Sequence, residues 1–421
     1  MNRVRGTIEY LKSALWFVPL IAIPVELVLS RLFHQIDARL DWTLLGLGPA
    51  GARAVLEVTV TMTLSFIVFT FGSLLVAIQI AGGQLTPRII ATTLLRDNVV
   101  RCAVGLFVFS MMFAISALNR LETNVHQFVL LLAMTLAVMC MATFLYLIDY
   151  AARLLRPISI LTRTAETGLR VIEHLYPAPT EAPDIAVAPS PALGAPDRVV
   201  AHAGASQVLL VVGLQELIAA ARGADGIVEL IPSVGDFVGK DEPLFALYGG
   251  ASAIDQGKLR NAVLFGAERT LEQDPAFSFR IVADIALKAL SPAINDPTTA
   301  VLAIDQLHRL LGQVGKRQLS DEMIRDGAGR LRLIFRTPNW QDYVNLAFSE
   351  IRRCGAGNFQ VARRLRAMIE NLTRTLPGHR HAALQQQLML LDREIEVQYR
   401  FPEDIALARG SDSQGLGGTK T

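Results

Sequence analysis

Cysteine is scarce. The chain of 421 residues has 3 (Cys102, Cys140 and Cys354), with no CxxC spacing, so neither a disulfide framework nor a cysteine metal site is indicated. Histidine is thin too: the 7 are scattered, and the closest pair, His379 and His381, sits in a Pro-Gly-His-Arg-His stretch that reads as a basic loop. An excess of either charge is missing as well. Forty Lys and Arg against 38 Asp and Glu leave a net charge of +2, too balanced for a nucleic-acid partner held by bulk electrostatics. No nucleophile–base or metal-ligand spacing appears, so the sequence calls for no catalytic residue, no cofactor and no metal, and an enzyme is the weakest of the functional classes.

Apolar residues are what the chain has in abundance. They make up 52% of it, and the excess lies mainly at the N-terminal end. A helix needs about 20 apolar residues to cross the hydrocarbon of a bilayer. Four segments qualify: Ala14 to Phe33, Ala54 to Ala81, Cys102 to Leu118, and Phe128 to Ile148. Each must satisfy its own backbone groups, which predicts helices. The first follows Arg3, Arg5 and Lys12, as a signal peptide would. Its run is too long for a typical signal core, carries Pro19, Pro24 and Glu26, and lacks a small-x-small cleavage site, so it reads as a retained span.

Lys and Arg near the span ends set the expected orientation. Arg3, Arg5, Lys12, Arg88, Arg96, Arg101, Arg153, Arg156, Arg163 and Arg170 fall on one side, and Arg31, Arg39, Arg53 and Arg120 on the other. That bias places both termini in the cytosol, with the chain crossing the membrane four times. The lipid bilayer is then the first partner.

The second span is polar on two faces. At about 100° per residue, Thr59, Thr63, Thr70 and Ser73 share one arc, and Glu57, Thr61, Ser65, Gly72 and Gln79 share the opposite one. Hydroxylated and small residues of this kind commonly serve helix packing. Alternatively, one face lines an ion path, because ionisable residues inside a membrane are usually functional. Glu26 and Glu57, at comparable depth on neighbouring spans, can hold a cation or share a proton; equally, Glu26 can pair with Arg53. A pathway of this kind made of Glu26, Glu57, Thr59, Thr61, Thr63, Ser65, Thr70 and Gln79 needs a homo-oligomer, since four spans are few for a monomeric path.

Beyond the spans, residues 150 to 176 continue as a basic amphipathic helix. A Pro/Ala-rich linker ends near residue 196. Short β-branched runs and the turn signals Gly235-Asp236 and Gly239-Lys240 follow. They resemble the turn–strand pattern of barrel-sandwich modules such as lipoyl carriers, without the carriers' lysine turn. A helical period returns from Asp255 to Tyr399. The expected fold is therefore a membrane α-helical domain (1–155), an amphipathic helix and linker (156–196), a small cytosolic β module (197–250), a cytosolic helical domain (251–404) and a disordered tail (405–421), that is, four transmembrane helices followed by an α+β region.

The densest polar stretch holds Glu268, Arg269, Asp274, Asp284, Lys288, Ser291, Asn295 and Asp296. Asp274-Pro275, Ser291-Pro292 and Asp296-Pro297 each place a good N-cap before a proline at the first helical position, which explains much of it without chemistry. Asp284 and Lys288 form a supportive i, i+4 pair. A cytosolic ligand or interaction site using Glu268, Arg269, Asp274, Asp284, Ser291, Asn295 and Asp296 is the sharper alternative.

Several of these residues carry a family resemblance. The four spans, Gly83-Gln84-Leu85-Thr86-Pro87-Arg88, Gly235-Asp236-Phe237-Val238, Arg269-Thr270 with Gln273-Asp274-Pro275, and above all Ala289-Leu290-Ser291-Pro292-Ala293-Ile294-Asn295-Asp296-Pro297-Thr298-Thr299-Ala300 resemble the bacterial predicted-membrane-protein family known as domain of unknown function 2254. The resemblance runs from Ser13 to about Tyr399. It departs from the family at Ala293, where glycine is usual, and near Thr298, where a bulkier residue is usual. It implies the membrane topology and brings no activity, cofactor or catalytic residue. Two functions remain open: an oligomeric ion or small-solute channel or transporter with a cytosolic gating or assembly domain, and a membrane-anchored scaffold or ligand sensor acting through that domain.

Overall fold

The computed structural model describes residues 16–40, 46–84, 97–121, 125–154, 156–180, 193–271, 273–319 and 323–416. The chain forms two compact units, Met1–Ser159 and Ile160–Thr421.

Among the described residues the first unit has four helices: α1 (Phe17–Leu40), α2 (Pro49–Gln84), α3 (Asn98–Asn119) and α4 (Gln127–Leu154). Each contains a stretch long and apolar enough to cross a membrane: Phe17–Asp37, Pro49–Gln79, Asn98–Asn119 and Gln127–Arg153. Large apolar side chains lie on their outward faces, with Val58, Val68, Leu75, Val138 and Leu145 well exposed, as suits helices solvated by lipid tails. Inside, α1 and α2 pack on α3, and α4 packs on α2 and α3. The approach of α1 to α3 is close. A Cβ on Gly105 would stand 2.7 Å from Cγ1 of Val18, so only glycine fits there. Phe113, Ala114, Val129 and Leu130 fill the middle, and the rings of Phe66 and Phe144 stack at 4.3 Å. Much of the 83–88 motif and the basic residues before Trp16 lie outside the described residues.

Helix α5 (Pro157–Leu175) carries the chain into the second unit, and its inward residues include Ile160, Leu161, Ala165, Gly168 and Ile172. It starts at a proline, so it is a separate helix and not a continuation of the fourth span. Eight strands follow: β1 (Arg198–Ala201), β2 (Gln207–Val212), β3 (Gly226–Leu230), β4 (Phe237–Val238), β5 (Pro243–Gly249), β6 (Val263–Gly266), β7 (Met323–Arg325) and β8 (Leu331–Phe335). They make a five-stranded sheet in the order β1-β5-β3-β8-β7 and a three-stranded sheet in the order β4-β2-β6. All pairings are antiparallel except β3 with β8. Short helices α6 (Leu214–Gly223) and α7 (Gln256–Asn261) lie among the strands. The helical part comprises α8 (Pro275–Ala289), α9 (Pro297–Val314), α10 (Trp340–Gly355), α11 (Phe359–Thr375), α12 (His381–Gln398) and α13 (Pro402–Ala408).

Three expectations need correction here. The β module does not stop at residue 250. β6, β7 and β8 come from later in the chain, and β8 pairs beside β3 across a long insertion of helices, so strands and helices share one unit. The tail does not begin at 405: α13 runs to Ala408, Arg363 donates to the Gly410 carbonyl, and Asp412 is buried, accepting from the backbone N–H groups of Gln414 and Gly415. Residues 417–421 lie outside the described residues. Nor is the 377–381 stretch merely a basic loop. Arg380 is 1% exposed, its guanidinium 5.2 Å from the Trp340 ring and donating to the carbonyls of Gly315 and Arg317.

Gly168 fixes how α5 enters this unit. A Cβ there would lie 2.7 Å from both Cβ and Oγ of Ser278 on α8 and 3.0 Å from Leu310 on α9. Gly168→Ala gains up to about 1 kcal/mol of helix propensity but overpacks the contact at a cost of about 1–3 kcal/mol. The net expectation is a lower melting temperature for the purified full-length protein; an unchanged or raised one would show that the contact yields.

At the edge of the larger sheet, Arg332 bonds Asp326 at 2.8 Å and Asp225 at 2.8 Å. The Arg332 hydrogen bond, helped by the N–H groups of Arg330 and Ala328, holds the Asp326 carboxyl down at about 2. A depressed carboxyl stabilises the fold above its unfolded value of about 4 and loses that contribution as pH falls towards the folded value. Acid titration followed by near-ultraviolet circular dichroism should show this component between about pH 4 and 2, and Asp326→Asn should lack it.

Candidate functional site

The side chains that α1 turns inward are unlike those of its neighbours. Among its described side chains the buried ones are Glu26, Ser30, His34 and Asp37, all polar, while Leu20, Val25, Leu27, Val28 and Leu32 are exposed. The spacing of four, four and three puts them on one helical face. In lipid this arrangement is the expected inversion of a soluble helix, with apolar residues outside and polar ones against protein.

The outer two members of the stripe have partners. Asp37 accepts from the backbone N–H of Phe128 at 3.1 Å, placing a carboxylate at the N-terminus of α4, where the helix dipole favours it. Its other oxygen lies 3.2 Å from Nδ1 of His126, close enough for an ion pair when that ring is protonated. His34 donates from Nδ1 to the Ser30 carbonyl at 2.7 Å, and its ring meets that of His126 edge to face at 5.2 Å. Deeper in, partners run out. Both carboxyl oxygens of Glu26 and the hydroxyl of Ser30 are buried with no hydrogen bond, and so is the hydroxyl of Ser110 on α3, the helix along which α1 packs. At the other end of the bundle Asp97 caps α3 through the N–H of Val99 and receives the Tyr150 hydroxyl at 2.7 Å.

The polar faces of α2 separate cleanly. Thr59, Thr63 and Thr70 are buried, whereas Glu57, Thr61, Ser65, Gly72 and Gln79 face outward, as does Ser73. Thr59, Thr61, Thr63 and Ser65 each donate to the carbonyl four residues earlier, so they are satisfied within their own helix. Thr70 is the exception, with an unpartnered hydroxyl on an apolar cavity of about 230 Å³ shared with Leu74, Val100 and Phe144. Glu57, not Glu26, takes Arg53, at 3.2 Å on the exposed surface. The two glutamates therefore do not form a shared site: one is paired and outward, the other is buried and alone.

In the second unit the motifs do converge, around Asp274. This residue caps α8 by accepting from Phe277 N–H at 3.0 Å. Arg269 bonds it at 2.9 and 2.7 Å, and the same guanidinium lies over Gly235, whose φ of +93° and missing Cβ make room for it. Gln273 accepts from Val212 N–H. Burial pushes the Asp274 carboxyl up while Arg269 pulls it down, and burial also raises the hydroxyls of Tyr176 and Tyr343, which bond each other at 3.1 Å. A cavity of about 110 Å³ beside Asp274 is lined by Tyr176, Val212, Gln273 and Arg336.

The remaining predicted residues scatter. Glu268 is exposed. Asp284 pairs with Arg280 one turn earlier instead of with Lys288, because Arg280 also reaches Glu350 on α10 at 2.5 Å and so clamps two helices. Asp296 caps α9 through Thr299 N–H at 3.0 Å and its hydroxyl at 2.5 Å. Ser291 caps no helix start: its hydroxyl donates to the Lys288 carbonyl at the end of α8. Asn295 is exposed in the left-handed region, φ +48°, in the turn between α8 and α9. Capping thus accounts for Asp274 and Asp296, ion pairing for Arg269 and Asp284, and turn geometry for Ser291 and Asn295. A cleft of about 740 Å³ between α11, α12 and residues 411–416 is lined by none of the residues singled out from the sequence.

Ser30, His34, Asp37 and His126 were missed by sequence reasoning, although a helical period of polar residues was there to see. Ending the first span at Phe33 cut His34 and Asp37 away from Glu26. In the second unit, Arg269→Met leaves the Asp274 carboxylate without its cation. The expected loss is about 1–3 kcal/mol, below the ~3–5 of a fully buried pair, because Arg269 is about one-third exposed. Chemical denaturation should place the midpoint lower, and further lowered as pH rises from 4 to 8; no pH dependence would mean that Asp274 does not depend on this arginine.

Comparison with known proteins agrees with this architecture. The family model described as "Predicted membrane protein (DUF2254)" matches residues 12–371. The uncharacterized protein Mb1321c of Mycobacterium bovis and the uncharacterized protein Rv1290c of Mycobacterium tuberculosis are each 29% identical over 432 residues, covering 98% of this chain and 82% of theirs. No solved structure matches. The chain belongs to the DUF2254 family of predicted membrane proteins.

Proposed function

We propose that this protein moves a proton or small cation across the bacterial inner membrane, working as a homo-oligomer, with its second unit in the cytosol as a gating or assembly domain. The observation that carries the reading is the buried stripe of α1, and above all Glu26, fully buried with both oxygens unpartnered. A carboxylate at the centre of a span costs about 2.5–3.5 kcal/mol even on the most lenient scale. Each unpartnered buried polar group adds about 1–3 kcal/mol. Packing alone gives no return for that expense, since Ser30 and Glu26 bond nothing, whereas a transient ion does.

The outward polar face of α2 supports the oligomer. Glu57, Thr61, Ser65, Gly72 and Gln79 would otherwise face lipid, and small or hydroxylated residues are what close helix contacts use. The Lys/Arg bias at the span ends supports termini on the cytosolic side.

Purified full-length protein in liposomes tests the reading. Proton, sodium or potassium flux should exceed that of empty vesicles and fall at least tenfold in Glu26→Gln, while Asp149→Asn, which alters only the exposed pair with Arg153 on α4, leaves it within about twofold. Flux at the level of empty vesicles for every ion, or flux indifferent to Glu26, overturns it. Light scattering in mild detergent should give a mass above that of one chain.

A further inference from the structure

Among the described residues, the stripe of α1 comes nearest the surface at its Asp37 end. His126 is the accessible member, its side chain 37% exposed, whereas that of Asp37 beside it is 3% exposed. His34 is next, its ring 5.2 Å from that of His126. Its Nδ1 faces the Ser30 carbonyl, which can only accept, so this nitrogen carries a hydrogen and Nε2 is the one free to take up a proton. One turn further in is the Ser30 hydroxyl, and one turn beyond that the Glu26 carboxyl, both unpartnered. From Asp37 to Glu26 is about 16 Å at ~1.5 Å per residue, roughly half the hydrocarbon thickness.

The space beside the two histidines bears on which ion fits. Between His34 and His126 lies a cavity of about 10 Å³, walled by Ala52, Leu56, Ala117 and Leu130. That is the lower limit for a single water molecule. A cavity of that size holds no hydrated cation, and a dehydrated divalent one needs six or more oxygen ligands. Among the described residues no group of three or more His, Cys, Asp or Glu is placed to hold a metal. A proton needs neither volume nor a ligand cage, only groups that can accept and release it in sequence.

We propose that the ion is the proton, and that it reaches Glu26 from the solvent along the face that carries His126, Asp37 and His34; the Ser30 hydroxyl between them bonds neither His34 nor Glu26 and provides no direct step. This rests on the ion-translocation reading above. One hydronium at the mouth loses a proton and one Glu26 carboxylate becomes a carboxylic acid; the groups between return to their starting forms, so charge and hydrogen balance. The charged neighbours of the relay are few. Arg120, at the end of α3, is the cation acting on His34, together with Asp37 and His126 themselves. From α3 the buried polar group is Ser110.

The test uses full-length protein in liposomes loaded with a pH-sensitive dye, with sodium and potassium flux followed in parallel vesicles. Native protein should carry protons while sodium and potassium stay at the level of empty vesicles. Glu26→Gln should lower proton flux at least tenfold, Glu26→Asp should restore part of it, and His34→Gln and His126→Gln should each lower it about tenfold and shift its pH profile. Sodium or potassium flux that depends on Glu26, without proton flux, overturns the proton assignment and leaves the ion reading standing. Proton flux indifferent to both histidines overturns the route. Absence of any flux overturns the ion reading itself. Only variants with native elution and melting behaviour in detergent are scored. Because His126 is half exposed at the head of α4, its variant stands even where that of buried His34 does not fold. An infrared carboxylic-acid band that appears on acidification and is missing from Glu26→Gln gives a second readout independent of flux.

Discussion

Hydrocarbon offers no hydrogen bonds, and this one constraint organises the membrane unit. Each span closes its own backbone bonds, each apolar side chain is as well placed outward as inward, and a polar side chain is driven towards protein. On α2 the hydroxyls meet the constraint locally, by bonding the carbonyl one turn back, and so are tolerated on either face. On α1 the residues are too polar for that, and all four turn towards the bundle. Close contact at Gly105 lets α3 cover much of that face. What is unusual is that covering them does not satisfy them all, since the stripe is bonded at its His34–Asp37 end and bare at Glu26.

The second unit is organised by a different requirement, that buried polar groups be paired. Asp274 sits on a helix N-terminus under Arg269, and Arg269 in turn needs the bare backbone of Gly235 beneath it. Arg380 spends its guanidinium on backbone carbonyls and an indole face, and Arg280 joins α8 to α10 through Asp284 and Glu350. These polar residues look chemical in a one-dimensional list and act as fasteners in three dimensions. The contrast with Glu26 is what gives that residue its weight: the second unit finds partners for its conspicuous charges, and the membrane unit leaves one without.

Part of this was legible beforehand. The four spans, the Asp274 and Asp296 caps and the change to β structure after the linker follow from local rules of length, period and capping. Other features depended on partners distant in the chain. Asp284 has Lys288 and Arg280 each one turn away, and only Glu350, 66 residues on, tips Arg280 into the pair. The limit of the β module was misjudged because β8 reaches β3 from about a hundred residues later, with α8 and α9 between. Residues 405–416 are rich in glycine and serine at their end, yet Asp412 and Arg363 tie them down.

By itself, the sequence determined that this is a membrane protein with four spans and a mixed second unit, because hydrophobic length and period are properties of contiguous residues. It also determined the membership of its family, through a motif whose main physical role is turn and cap. Only the tertiary structure decided which polar face of each span is covered. A helix carries its periodicity in its own sequence, but the direction it faces is set by the neighbours that pack on it. For that reason Glu57 reads like Glu26 in the sequence and differs from it in the fold, one paired with Arg53 on the exposed surface and one buried against α3 without a partner.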